Sequence, residues 1–296
     1  MTSLELPAGV GWTALITAYA RAQETRRTDR LFADPYAGEF FDAMAGTAGS
    51  AQSRLPRVGP ARDDESSPLW NFFSAYFNGR TPFFDEHVRV GAGEARQVCI
   101  LAAGLDARAL RLELPDRTNV FELDTREVLD FKQELLERGS ADPTASDRRT
   151  VVAVDLREDW SAALVEAGFR PEVPTVWLVE GLLMYLDATQ CDRLLDDIAA
   201  LSAPGSRIAF DYFARNPRMD DVELTDPDDV AAAEFVISLF KSGPAKPPAE
   251  WLARHGWTPE ITDVASELAR HERPLPELFE PDRPEPFTVW LASGTR

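Results

Sequence analysis

VCILAAGLDARALRLEL, residues 98–114, opens with a short apolar run, Val98 to Ala103, that stops at Gly104. An acid, Asp106, follows at once, and apolar residues at helical spacing come after it. Apolar strand, glycine turn and helix, in that order, predict a ligand held at the carboxyl end of a parallel sheet. AAGLDA is an imperfect G-x-G-x-x-A fingerprint, with Ala102 in place of the first glycine. A phosphate-binding turn offers its anion backbone amides only. The carboxylate at the start of this helix therefore calls for a different ligand.

Outward from this stretch the pattern is regular. Strand-like runs stand at 98–103, 119–123, 150–154, 175–180 and 206–212. Helical stretches at 106–114, 126–138, 157–167 and 188–201 separate them. Such alternation makes βαβ units and a parallel sheet wrapped on both faces. GWTPEITDV and EPFTVWLAS, near the end, bracket a Pro-rich connection and predict a closing antiparallel pair. Toward the N-terminus, Trp12, Leu15, Ile16 and Tyr19 fall at i, i+3, i+4 and i+7, one face of a helix. A second helix starts with Asp34 as N-cap and Pro35 at its first position. Residues 45–67 read as a mobile surface loop, and a third helix runs from about 68 to 91. The expected fold is α/β: a doubly wound, mostly parallel sheet with a terminal antiparallel hairpin and an N-terminal helical cover. The expected division is a cover at 1–92 and a Rossmann-like core at 93–296, with a lid inserted at about 213–250.

Composition narrows the partners. Of 296 residues 44% are hydrophobic and 27% charged, enough to bury a sizeable core. A net charge of −19 repels nucleic acid and anionic membranes, so neither is an expected partner. Cys99 lies in an apolar run and Cys191 in a predicted helix, the places of reduced core thiols. Glu5 precedes Arg21, the wrong order for a secretory signal, and no apolar run reaches the ~18 residues of a membrane helix. A cytoplasmic protein is expected. No His/Cys/acid cluster has metal-ligand spacing, so no metal is expected.

Each central strand ends in or near an acid: Asp106, then Glu122 and Asp124, Asp155, Glu180 and Asp211. In the expected topology these converge on one crevice. Asp124 stands twenty residues after Gly104, the separation at which a second-strand carboxylate takes ribose hydroxyls. Asp106 would repel a pyrophosphate, and no lysine stands near it in sequence to offset the charge. A phosphate-free nucleoside of net positive charge fits better, and S-adenosyl-L-methionine, with a sulfonium, an ammonium and one carboxylate, is such a ligand. NAD is disfavoured on the same ground. The competing reading is that Asp106, Asp124 and Asp155 each cap a helix.

Over residues 10–212 the sequence resembles the leucine carboxyl methyltransferase-like, S-adenosylmethionine-dependent methyltransferases, in particular their polyketide O-methyltransferase branch. TALITAYARAQET, LFADPYA, RTPFFDEHV, ILAAGLDARALRL, VFELDTREVLDFKQELL, VAVDL and VWLVEGLLMYL carry the resemblance, in that order. It implies a class I methyltransferase fold, with S-adenosyl-L-methionine as donor and S-adenosyl-L-homocysteine as product. It further implies that Arg80 pairs with the methionine carboxylate and that the turn at Ala102 and Gly104 lets backbone approach the methionine part. Asp124 would hold the ribose, and Asp155 with Leu156 would bracket the adenine. Glu180 would lie near the amino group and the reacting methyl. Glu180 also ends the otherwise apolar run TVWLV, where an acid needs a partner.

The acceptor is open at this level. One reading is carboxyl methylation of a small molecule or peptide, with Arg21 or Arg26 holding the substrate carboxylate and Tyr185 or Tyr19 orienting it. A second is methylation of a phenol or enol of secondary metabolism, with His255 or Tyr185 as proton acceptor. A third is a nucleoside-binding protein without turnover.

Overall fold

The computed structural model describes residues 11–47, 67–139 and 148–296, without the side chains of Trp12, Leu15, Met44, Ala45 and Thr47. Most of the expected surface loop at 45–67 lies outside them. Three helices lead: α1 Gly11–Arg26, α2 Pro35–Thr47 and α3 Pro68–Glu94. Then come β1 Gln97–Leu101, α4 Arg108–Arg111, β2 Asn119–Asp124, α5 Arg126–Arg138, β3 Arg149–Ala153 and α6 Ser161–Glu166. They are followed by β4 Thr175–Val179, α7 Ala188–Ala200, β5 Arg207–Phe213, α8 Pro227–Leu239 and α9 Pro248–Arg254. The final elements are β6 Thr258–Asp263, α10 Val264–Arg270 and β7 Val289–Thr295.

The seven strands form one sheet in the order β3-β2-β1-β4-β5-β7-β6. The first five pair in parallel, and β7 runs antiparallel to both β5 and β6. The chain reverses its direction of travel across the sheet between β1 and β4, which neighbour each other. At such a switch point the flanking loops part and leave a crevice above the strand ends.

The strands alternate as a sheet covered on both faces requires. Val98, Ile100, Val120, Val176 and Leu178 join one core with α3 aromatics such as Phe77 and Phe84. Cys99, Leu101, Phe121, Trp177 and Val179 point the other way, into a core with Trp160, Leu194 and Trp251. Both cysteines are buried and free. A smaller cluster seats α1 and α2 against α5 through Ala18, Phe40, Phe131 and Leu135. Asp34 caps α2 as expected, its Oδ1 accepting from Ala37 N at 3.1 Å. Ser67 Oγ caps α3 at Trp70 N and donates to Asp229 at 2.6 Å, fastening the start of α3 to α8.

The expected helix at 106–114 shrinks to the four residues of α4, and the one at 157–167 to 161–166. Within the expected lid, α8 and α9 are regular helices, and Val236 of α8 belongs to the first core.

Candidate functional site

The turn after β1 is built by backbone conformation. Ala102 has φ +50° and Gly104 φ +46°. The first is a strained value for a residue with a Cβ, costing on the order of 1–2 kcal/mol. A Cβ at Gly104 would meet only the turn's own Ala102 carbonyl, at 3.9 Å, so the space over the turn is open. Asp124, at the end of β2, reaches into this turn. Its Oδ2 accepts from Gly104 N at 2.8 Å and its Oδ1 from Thr125 N at 2.7 Å. Burial raises this carboxyl above its ordinary value, and the two amides only partly offset the effect.

Around this turn, charges alternate across four elements. Arg80 of α3 donates through Nη1 to Asp211 of β5 at 2.8 Å and to the Tyr76 hydroxyl, which in turn donates to Asp211. Arg80 Nε lies 2.9 Å from Glu180 Oε1. Arg108 of α4 pairs with Glu180 at 2.7 Å, with Asp106, and through Nε with Asp85 at 2.7 Å. Arg111 grips Asp85 with both terminal nitrogens, at 2.7 and 2.6 Å. It also lies 3.8 Å from Asp34, which Arg21 approaches at 3.2 Å.

Burial of all these groups explains why they must pair, since an isolated charge there would be desolvated at a cost of several kcal/mol. Burial alone would raise the Asp106 carboxyl, but Arg108 and, more distantly, Lys132 outweigh it and hold it at about 2. Asp85 is likewise held below the usual carboxylate range despite burial, by Arg108 and Arg111.

The expected ring of uncompensated acids is therefore corrected. Asp106, Glu180 and Asp211 do gather at the crevice, but with Arg80 and Arg108 between them. The sequence expectation looked for neighbouring lysines, whereas the compensating arginines come from α3 and α4. Asp106 also accepts from Arg108 N at 2.6 Å, but it does not cap α4, whose N-cap position is Ala107 and carries no side-chain cap bond. Glu122 does not join the crevice: it is fully buried beneath α5, bonded to Lys132 at 2.8 Å and Arg149 at 2.7 Å. Asp155 lies at the rim, tied to Arg157 N at 2.9 Å and to the Arg157 guanidinium. It caps no helix, since α6 starts only at Ser161. Leu156 packs against the second core.

Glu180 has the partners its apolar strand demanded. Immediately after it, Gly181 has φ +67° and donates to Asp211 Oδ1 at 2.7 Å. A Cβ here would stand 3.3 Å from Arg80 Nη2, so only glycine lets the chain pass over the guanidinium. Tyr185 follows in a short 3-10 turn, within electrostatic reach of Arg80 and Asp211, with its ring 5.5 Å from Phe240. Burial raises its hydroxyl to about 12.

Other expected substrate ligands go elsewhere. The Arg21 guanidinium is occupied by Asp34 and by the Leu105 carbonyl at 2.9 Å, so it braces α1 against the glycine turn. Arg26 is exposed on the last turn of α1. Tyr19 is buried between Phe41 and Trp70. His255 Nδ1 contacts Asp196 at 2.7 Å where α9 meets α7, away from the strand ends. Tyr76, Asp85, Arg108 and Arg111 were missed. Tyr76 stands four residues before Arg80, and Arg108 and Arg111 are three apart on one helix face; those spacings were the available signal.

The crevice fits a ligand with an amino-acid end and a ribose. Arg108 Nη2 is buried without a hydrogen-bond partner among the described residues, while Glu180 Oε2 and Arg80 Nε are held only by the ion pairs to Arg108 at 2.7 Å and to Glu180 at 2.9 Å. Each Asp124 oxygen accepts one amide and keeps a further lone pair. Among the described residues no group of three or more His, Cys, Asp or Glu gathers as a metal site, and no helix is long and apolar enough to cross a membrane.

The family model for leucine carboxyl methyltransferase matches residues 14–199. A protein of Frankia alni, whose name places it among S-adenosyl-L-methionine-dependent methyltransferases, is 43% identical over 275 residues, 92% of each chain. A crystal structure of a protein described as a methyltransferase, from Thermobifida fusca, superposes with a TM-score of 0.53 at 18% identity, over 98% of each chain. Geranyl diphosphate methyltransferase in complex with SAM gives 0.50 at 11% identity, over 83% of this chain and 94% of that one.

Proposed function

Because the chain belongs to the leucine carboxyl methyltransferase family and is an S-adenosyl-L-methionine-dependent methyltransferase, we propose that it esterifies a carboxylate of a small molecule. The donor supplies an electrophilic methyl on a cationic sulfur. The chain's part is to hold it, orient it, exclude water and bring an already ionised oxygen in line.

Asp124 accepts from the ribose hydroxyls, using the lone pairs its two backbone amides leave free. The turn at Ala102 and Gly104 gives the methionine part a close approach to backbone. Arg80 meets the methionine carboxylate with Nη2, which Tyr76, Asp211 and Glu180 do not occupy, and Glu180 Oε2 takes the amino group alongside its ion pair to Arg108. Asp155 and Leu156 border the adenine at the rim, where Asp155 exchanges Arg157 for the exocyclic amine.

The observation that carries the carboxylate reading is the state of Tyr185. With its hydroxyl raised to about 12 it remains a proton donor throughout the neutral range and is unsuited to deprotonating a phenol. This hydroxyl, hydrogen-bonded with Thr13 and within electrostatic reach of Arg80, suits an anionic acceptor. A carboxylate needs no base, because it is ionised at neutral pH. The other proton acceptor considered, His255, is held on Asp196 between α7 and α9.

A panel of carboxylic acids and phenols, incubated with labelled donor, tests the reading. Methyl esters release methanol in mild base and methyl ethers do not. Esters are expected, with kcat/KM flat from pH 6 to 9. Ethers alone, or a rate that climbs with the ionisation of a phenol, would overturn it.

A further inference from the structure

Beyond the crevice, between the start of α3 and α8, lies a groove open to solvent along one side. Among the described residues its walls are aliphatic and aromatic apart from Arg218 and Asp221. Neither is free to hold a ligand: Asp221 is gripped by Arg215 at 2.8 and 2.6 Å, and Arg218 pairs with Glu285 and Asp220. The groove adjoins the candidate reaction site through shared rings. Phe240 lines it and packs on Tyr185 at 5.5 Å. Phe72 lines it and stacks on Tyr76, the residue that bonds Arg80 and Asp211, at 6.0 Å.

From this continuity we propose that the groove holds the hydrocarbon body of the acceptor, with its carboxylate turned toward Tyr185. The acceptor class is then an amphipathic acid with a long apolar portion, rather than a peptide C-terminus. A peptide brings an amide N–H and C=O with every residue, and each costs free energy in a groove whose described walls offer no free partner. A hydrocarbon gains from every methylene it buries. This assignment rests on the carboxylate reading above for the orientation of the acid, but not for occupancy of the groove.

The test titrates the full chain, saturated with S-adenosyl-L-homocysteine, with butanoate, hexanoate, octanoate and decanoate by calorimetry, and with a tetrapeptide ending in leucine. Methyl ester formation from the same compounds is measured in parallel. The dissociation constant should fall about three- to fourfold per added methylene. Ile237→Trp, which fills the groove, and Met219→Asp, which places a charge at its mouth, should each cut decanoate binding at least tenfold. Both should leave the affinity for S-adenosyl-L-homocysteine unchanged, which reports an intact fold. Equal affinity along the series, no binding of any acid, or a peptide that binds more tightly than decanoate would overturn the groove assignment. Ester formation with no dependence on chain length would overturn it while leaving the carboxylate reading intact. Chain-dependent binding without ester formation would support the groove and reject the carboxylate reading.

Discussion

Asp124 and Arg80 both face the crevice, yet substitution should separate them. The Asp124 carboxyl is raised by burial and gains nothing but two amide contacts, so its ionised form is not a source of stability. Asp124→Asn should leave the melting temperature nearly unchanged while weakening S-adenosyl-L-homocysteine binding about ten- to hundredfold, the worth of a charged hydrogen bond. Calorimetry beside a thermal melt reads both. Arg80→Met should do the opposite first: it leaves Asp211 without its cation and Glu180 with Arg108 alone, and should cost about 3–5 kcal/mol in urea unfolding. A stability loss below about 1 kcal/mol would mean the network repacks around the gap.

At the scale of elements, two glycines of α3 should respond with opposite sign. A Cβ on Gly91 would lie 2.5 Å from Val176 of β4, so Gly91→Ala should force helix and sheet apart and cost about 1–3 kcal/mol. Gly93, in the same last turn, has nothing within 4 Å of its Cβ position. Gly93→Ala should stabilise by about 0.5–1 kcal/mol through lost unfolded-state entropy. Denaturant midpoints of the two variants decide it.

Element positions were largely legible in the sequence. The five parallel strands lie within two residues of their expected ends, and α5 has the expected bounds, because alternation and a closing Gly139 are local signals. The shortening of α4 and α6 was not legible, since what replaces their outer turns depends on packing beyond the window. The site divides the same way. Asp124 and Gly104 belong to one motif and were found together. The partners of Glu180 and Asp211 are Arg80 and Arg108, and Arg80 stands 131 residues before Asp211. No periodicity connects residues so far apart.

The whole molecule inherits an acid limit from its buried carboxylates. Asp106 has a lower pKa folded than unfolded, so as the pH falls the unfolded chain binds the proton first. The stability contributed by Asp106 and Asp85 is complete above about pH 5 and drains away as the pH falls toward 2. Urea midpoints measured from pH 6 downward should decline steeply in that window, and Asp106→Asn should flatten the decline. An unchanged profile in the variant would assign the acid limit to other groups.

The alternating chain from Arg21 through Asp34, Arg111, Asp85, Arg108, Glu180 and Arg80 to Asp211 has a bearing on descent. Loss of one member leaves its neighbours stranded, whereas loss of a matched couple leaves the remaining ledger of charge even. Lineages should therefore cross this ground two substitutions at a time: across homologous sequences, Asp85 and Arg108 should be kept together or surrendered together.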